Sequence, residues 1–187
     1  MVNKMNEEHT AFMSASLDYG DRPVMDFFRR LLFENSIRPL TIGIDIPATD
    51  DREAARLVVS ETGKVDCVVA ILTERYMTTE GEKKPSEWLP EEAMTGTVYG
   101  KPVYIFHEKG LTPRGASVAR ARWVKEFDRS SLQEQRPQLS AACSQIRIEL
   151  AEKKSQEFWA LIQMIVAGIG AVGAGYLLYR SLRGSEE

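Results

Sequence analysis

The sequence predicts an α/β, flavodoxin-like three-layer domain on a five-stranded parallel sheet, followed by one C-terminal transmembrane helix. Three observations predict it. The run Cys67-Val68-Val69-Ala70-Ile71-Leu72 is apolar without alternation and too short for a membrane, which marks a strand covered on both faces. Around it, short apolar runs alternate with helical patterns at the spacing of βαβ units with right-handed crossovers. Finally, Phe158 to Tyr179 is 22 residues without a charge, and Gln163 is its one strongly polar side chain.

Taken in order, residues 1–9 are a polar tail. Ala11 to Ser16 reads as the first strand, apolar and then rich in small hydroxyl residues, with a loop over 17–20. Asp21 suits an N-cap and Pro23 a first helical turn. Val24, Phe27, Phe28, Leu31 and Leu32 then form one apolar stripe facing a sheet. Asn35-Ser36 ends that helix and Pro39 bars its continuation. Leu40 to Ile44 is expected as the second strand, with a loop from Asp45 to Thr49. Asp50 with Glu53 resembles a capping box for a helix from Asp51 to about Glu61, which Gly63 ends in a left-handed conformation.

The strand through Leu72 follows, then a loop of Lys, Glu, Gly and Pro, and a helix carrying Glu92 and closed by Gly100. Val103 to Phe106 is a fourth strand. Ala116 to Arg122 suits a short helix and Trp123 to Phe127 a fifth, edge strand. Ser131 with Glu134 suggests a capping box for the last helix of the domain, bent or restarted at Pro137, with Leu139, Ala142, Cys143, Ile146 and Leu150 on its apolar side. The domain thus covers 10–150. A linker covers 151–157, the membrane span 158–179 and a tail 180–187.

As a helix the span measures roughly 33 Å, against a hydrocarbon core of about 30 Å. Trp159 near one end and Tyr176 and Tyr179 near the other suit the two interfaces. With no secretory pattern before the domain and the span close to the C-terminus, the expectation is a single-pass tail anchor with the domain in the cytosol. Ala167, Ala171 and Gly175 make a small-residue stripe suited to close helix packing, and hence to self-association.

Composition excludes several classes. A net charge of −3 with no long basic cluster argues against nucleic acid as a partner. The two histidines, His9 and His107, have no neighbouring cysteines, so no metal site is expected. Cys67 and Cys143 fall in an apolar strand and on a helical pattern, which suits reduced thiols. Ser14-Ala15-Ser16-Leu17-Asp18 is neither a P-loop nor a Gly-x-Gly-x-x-Gly turn, which disfavours nucleotide triphosphate hydrolysis and Rossmann dehydrogenase chemistry. In a parallel sheet, ligands bind beyond the carboxyl ends of the strands, and Thr73 to Glu92 leaves the central strand there.

At this point the chain resembles a Toll/interleukin-1 receptor (TIR) domain over about residues 10–150. The first strand with its acidic follower Asp18, the acidic residue and proline of Gly43-Ile44-Asp45-Ile46-Pro47, and Asp66 to Thr73 each resemble that family's elements. Ser86-Glu87-Trp88-Leu89-Pro90-Glu91-Glu92 matches its Ser-x-Trp-x-x-x-Glu, and Phe127-Asp128-Arg129 is a weaker match. The sequence departs from the family at Leu89-Pro90, where eukaryotic members often have Cys-Leu, and at Pro47-Ala48-Thr49, which lacks the frequent Gly after Pro.

The resemblance implies that Glu92 is the catalytic carboxylate of an enzyme that cleaves the nicotinamide N-glycosidic bond of NAD, with NAD as substrate and no other cofactor. A carboxylate suits an oxocarbenium-like centre. The bland reading is a solvated Glu favoured by a helix start. Trp88 as a pocket wall, Ser16 and Asp18 near phosphates or ribose, Asp45 near the ligand and Tyr76 stacked on a base complete the candidate binding set. Core packing for Trp88 and Tyr76, and loop capping for Ser16, Asp18 and Asp45, are the competing roles. The expectation is a membrane-anchored effector of prokaryotic immune defence, clustering as a homo-oligomer through the domain and the span. Two alternatives are a non-enzymatic signalling adaptor and a nucleotide sensor that acts through its membrane span.

Overall fold

The computed structural model describes residues 9–77, 83–84, 95–113 and 116–183, with the backbone alone at 76–77, 83–84, 116–117 and 165–183. The chain forms two compact units, Met1–Arg147 and Ile148–Glu187.

In the first unit, β1 (His9–Ala15), β2 (Ile37–Leu40), β3 (Cys67–Leu72), β6 (Val103–Glu108) and β7 (Trp123–Phe127) make one sheet in the order β2-β1-β3-β6-β7. Every pairing in it is parallel. All six β3 residues are buried, which agrees with their unbroken apolar run. A two-stranded antiparallel pair, β4 (Tyr76–Met77) with β5 (Lys83–Lys84), lies where the sequence suggested only a loop.

The pleat sends alternate strand residues into two cores. On one face, Phe12, Val68, Ala70, Leu72, Val103 and Ile105 cluster with Val58 of α2 (Asp51–Thr62), and Val118 of α3 (Ala116–Arg120) packs against them. On the other face, Phe28 of α1 (Arg22–Glu34) meets the rings of Phe106 and Phe127 at 4.8 and 5.1 Å. The predicted stripe Val24, Phe27, Phe28, Leu31 and Leu32 is buried throughout. At the amino edge, the Asp66 carboxylate accepts from the Thr10 backbone N–H at 2.7 Å, while Asp66 N–H donates to the Thr10 carbonyl at 2.9 Å. That reciprocal pair fixes the register of the two central strands.

Four local expectations are corrected. The second strand ends at Leu40, where the sequence suggested that it began, and it contains Pro39. An edge strand tolerates proline because one row of its backbone groups faces outward. Beyond it, Thr41 to Ile46 is a tight turn in which Gly43, at φ +83°, donates to the Ile46 carbonyl at 2.8 Å. Gly63 stays right-handed at φ −63°, because Lys64 N–H continues the winding to the Glu61 carbonyl at 3.0 Å.

Asp21 stands at the N-cap of α1 without a side-chain capping bond. Its carboxylate is engaged elsewhere, as described below. Likewise the expected Ser131/Glu134 box is replaced. Asp128 caps a 3-10 turn over Arg129–Ser131 by accepting from Ser130 N–H at 3.0 Å, and the long helix α4 (Arg136–Arg183) starts beyond it with Pro137 in its first turn.

The capping box of α2 forms with a shift. Asp50 accepts from Glu53 N–H at 2.8 Å, and the Glu53 carboxylate reaches Thr49 N–H at 2.6 Å, one residue before the N-cap.

Residues 95–98 form a helical turn that Gly100 closes at φ +65°. The turn lies close on the sheet: a Cβ at Gly96 would stand 2.6 Å from Val68 Cγ2 and 3.0 Å from Val103 Cγ2. Both contacts belong to β-branched side chains with little freedom to move.

The described part of the second unit is the distal part of α4. Its backbone is helical through the expected span at 158–179. Among the described residues, no helix is long and apolar enough to cross a membrane. Most of the expected span, 165–179, has its side chains outside that description.

Candidate functional site

The strand order reverses between β1 and β3: the chain turns to β2 on one side of this pair and to β6 on the other. In an open parallel sheet this switch point, at the carboxyl edge, opens a crevice. The loops that leave β1 and β3 there bring Ser16, Asp18 and Arg75 together. Arg75 Nη1 donates to Ser16 Oγ at 3.2 Å and pairs with the Asp18 carboxylate. Ser16 Oγ also accepts from Asp18 N–H at 3.3 Å, which fixes the bend of the first loop. Sequence reasoning named Ser16 and Asp18 and missed Arg75, because an isolated arginine in a polar loop carries no pattern.

Thr73, the first residue beyond β3, is 3% exposed, and its hydroxyl has no hydrogen-bond partner among the described residues. Next to it, Glu74 N–H donates to Glu108 Oε2 at 2.9 Å. Glu108 ends β6, and the same oxygen accepts from Arg129 Nη2 at 2.8 Å. Arg129 Nη2 also donates to Asp21 at 2.6 Å, and its Nη1 to the Gly20 carbonyl at 3.1 Å. Burial works against the Arg129 charge, but the bonds to Glu108 and Asp21 outweigh it and hold the guanidinium above its usual value. One arginine thus ties the loops after β1, β3, β6 and β7 into a single rim.

Asp45 sits apart, beyond the edge strand β2. Arg29 on α1 holds it by both oxygens, at 2.6 and 2.8 Å, and Thr41 N–H donates to it at 2.8 Å. These bonds fix the β2 turn to α1 and occupy both carboxylate oxygens. The Arg29 hydrogen bond holds the Asp45 carboxyl below its usual range. A depressed folded value adds stability above the unfolded value of about 4 and loses it as the pH falls through the folded one. We therefore expect the melting temperature of Asp45→Asn to fall less steeply than the parent's between pH about 4 and 2. Parallel acid limbs would mean that Asp45 adds no such stability.

The two cysteines are unsuited to nucleophilic work. Both are buried, which pushes the Cys67 thiol strongly up and the Cys143 thiol up to about 12. Among the described residues no cluster of His, Cys, Asp and Glu suits a metal ion. Glu92 and Trp88 lie outside the described residues, and Tyr76 is described by its backbone alone, in β4.

No family model and no curated protein matches the chain. Among solved structures it is similar to a CMP N-glycosidase from Clostridium botulinum, at 11% identity and a TM-score of 0.47, over 71% of this chain and 98% of that one. A 2-deoxyribosyltransferase from Bacillus psychrosaccharolyticus overlaps at 11% identity and 0.48, over 66% and 95% of the two chains. The SEFIR domain of IL-17 receptor B overlaps at 10% identity and 0.37, over 72% and 96%. At these scores they assign neither a family nor a chemistry to this chain.

Proposed function

We propose that this chain is a TIR-type, membrane-anchored enzyme of prokaryotic immune defence that cleaves the nicotinamide N-glycosidic bond of NAD when clustered, with Glu92 as its catalytic carboxylate. One observation carries the reading. The strand whose carboxyl end leads into Ser86-Glu87-Trp88-Leu89-Pro90-Glu91-Glu92 is one of the two strands at the switch point. The chain leaves β3 at the carboxyl edge, and among the described residues Gly96 lies against the sheet beside Val68 and Val103, near the amino edge. The connection that carries the motif therefore starts from the crevice where Ser16, Asp18 and Arg75 meet.

In this reading the Glu92 carboxylate stabilises positive charge developing on the ribose as nicotinamide leaves. The test is full-length chain concentrated on liposomes with NAD and assayed for free nicotinamide. Release that rises with surface density supports the reading. No release at any density leaves the adaptor or sensor readings in its place.

The anchor rests on the uncharged run from Phe158 to Tyr179. We expect the full chain to fractionate with membranes and a chain ending at Glu157 to stay in the supernatant. Equal solubility of the two would remove the anchor. Confinement to a bilayer raises the effective concentration of the domains, which is how clustering would switch on the enzyme.

A further inference from the structure

We propose that Arg75 is the phosphate-binding residue of the carboxyl-edge crevice, and that Asp18 is an internal counter-ion which a phosphate displaces. The inference deepens the NAD reading and rests on it for the choice of a dinucleotide pyrophosphate as the ligand.

Arg75 is the cation that spans the mouth between β1 and β3, with its partners Ser16 and Asp18 on the opposite loop. Its side chain is 40% exposed and that of Asp18 is 52% exposed, so a solute reaches both. An exposed ion pair of this kind is weak, worth at most about 1 kcal/mol. A guanidinium prefers the planar, forked contact that phosphate oxygens offer, and the exchange replaces one carboxylate by a dianion. Ser16 gains as well. Its hydroxyl oxygen now accepts from Arg75 and from Asp18 N–H, which leaves its O–H free to donate to a phosphate oxygen. Two residues before Arg75, the buried Thr73 hydroxyl lacks a hydrogen-bond partner among the described residues, where most buried polar groups have one.

The Arg75 loop is also pinned. Glu74 N–H is held by Glu108, and Glu108 by Arg129, so the guanidinium swings from a fixed backbone. Ligand binding is then a side-chain exchange of Arg75 from Asp18 to phosphate.

The test uses the full-length chain, in detergent micelles for titration calorimetry with inorganic pyrophosphate as the probe, and concentrated on liposomes for the nicotinamide assay with NAD as substrate. Arg75→Met should weaken pyrophosphate binding by about tenfold or more, the loss of a charge-assisted hydrogen bond. Arg75→Lys should recover part of it. Asp18→Asn should tighten binding about two- to fivefold by removing the competitor, whereas a ligand contact at Asp18 would make the same change weaken it. Melting curves identify any variant that fails to fold.

Unchanged binding by Arg75→Met, looser binding by Asp18→Asn, or no pyrophosphate binding by the parent and Asp18→Asn alike would each overturn the proposal. Pyrophosphate binding through Arg75 without nicotinamide release would keep it and sink NAD cleavage. NAD cleavage whose KM ignores Arg75→Met would sink this proposal alone.

Discussion

Replacing Glu92 by Gln should lower the rate of NAD cleavage by clustered protein by ~10²–10³, equivalent to about 3–4 kcal/mol of transition-state stabilisation. The change keeps the size of the side chain and most of its hydrogen-bonding capacity, and it removes the negative charge that the proposed role sets against an oxocarbenium-like ribose. Glu91→Gln removes the carboxylate next to it in the sequence and should lower the rate far less. The comparison separates catalysis from a general loss of charge in this segment. A binding role for Glu92 would raise KM with kcat kept, whereas a transition-state role lowers kcat. Equal turnover by Glu92→Gln and the parent, with both folded by their melting curves, would end the catalytic assignment.

What could be read from the sequence follows from how much each signal depends on neighbours along the chain. The run from Cys67 to Leu72 announced a doubly covered strand, and the α1 stripe announced its buried face, because burial writes a period into adjacent residues. The second strand was misplaced because its decisive partner is distant. Pro39 fits there by pairing with Ala11 on an open edge, which nothing near residue 39 reveals. Asp21 stands at the N-cap position that the sequence suggested, but its carboxylate goes to Arg129, 108 residues away.

The candidate site divides in the same way. The placing of Ser16 and Asp18 just beyond the first strand was legible in the sequence. Arg75, which joins them, and the Glu108–Arg129 pair behind it were not. Each of those roles exists only once the sheet order has brought four loops together. The Phe127-Asp128-Arg129 segment shows the limit well. The sequence marked it as a weak match, and the structure gives each member a physical role. Phe127 sets a buried ring against Phe28, Asp128 caps a 3-10 turn, and Arg129 is the cation of the rim.

That cation leads to the second large effect. Arg129→Met should destabilise the domain by about 2–3 kcal/mol. Removing one partner of a buried ion pair commonly costs ~3–5 kcal/mol, and the figure is reduced because the Arg129 side chain is 33% exposed. The cost comes from what is left behind, since the Asp21 and Glu108 side chains are 7% and 11% exposed and would face each other without a cation. Arg129→Lys should recover part of the loss, because a single ammonium cannot span two carboxylates and the Gly20 carbonyl with the geometry of a fork.

The decisive variant is the triple change Arg129→Met, Asp21→Asn and Glu108→Gln. If stranded charge is the cause, neutralising both carboxylates should return much of the stability that Arg129→Met removes, a coupling that independent sites would not show. If lost packing is the cause, the triple variant should be less stable than Arg129→Met. Chemical denaturation of all the variants at neutral pH reads the difference directly. Because Glu108 also holds Glu74 N–H, the same series should loosen the Arg75 loop. Pyrophosphate binding should then weaken even in variants whose melting temperature is restored.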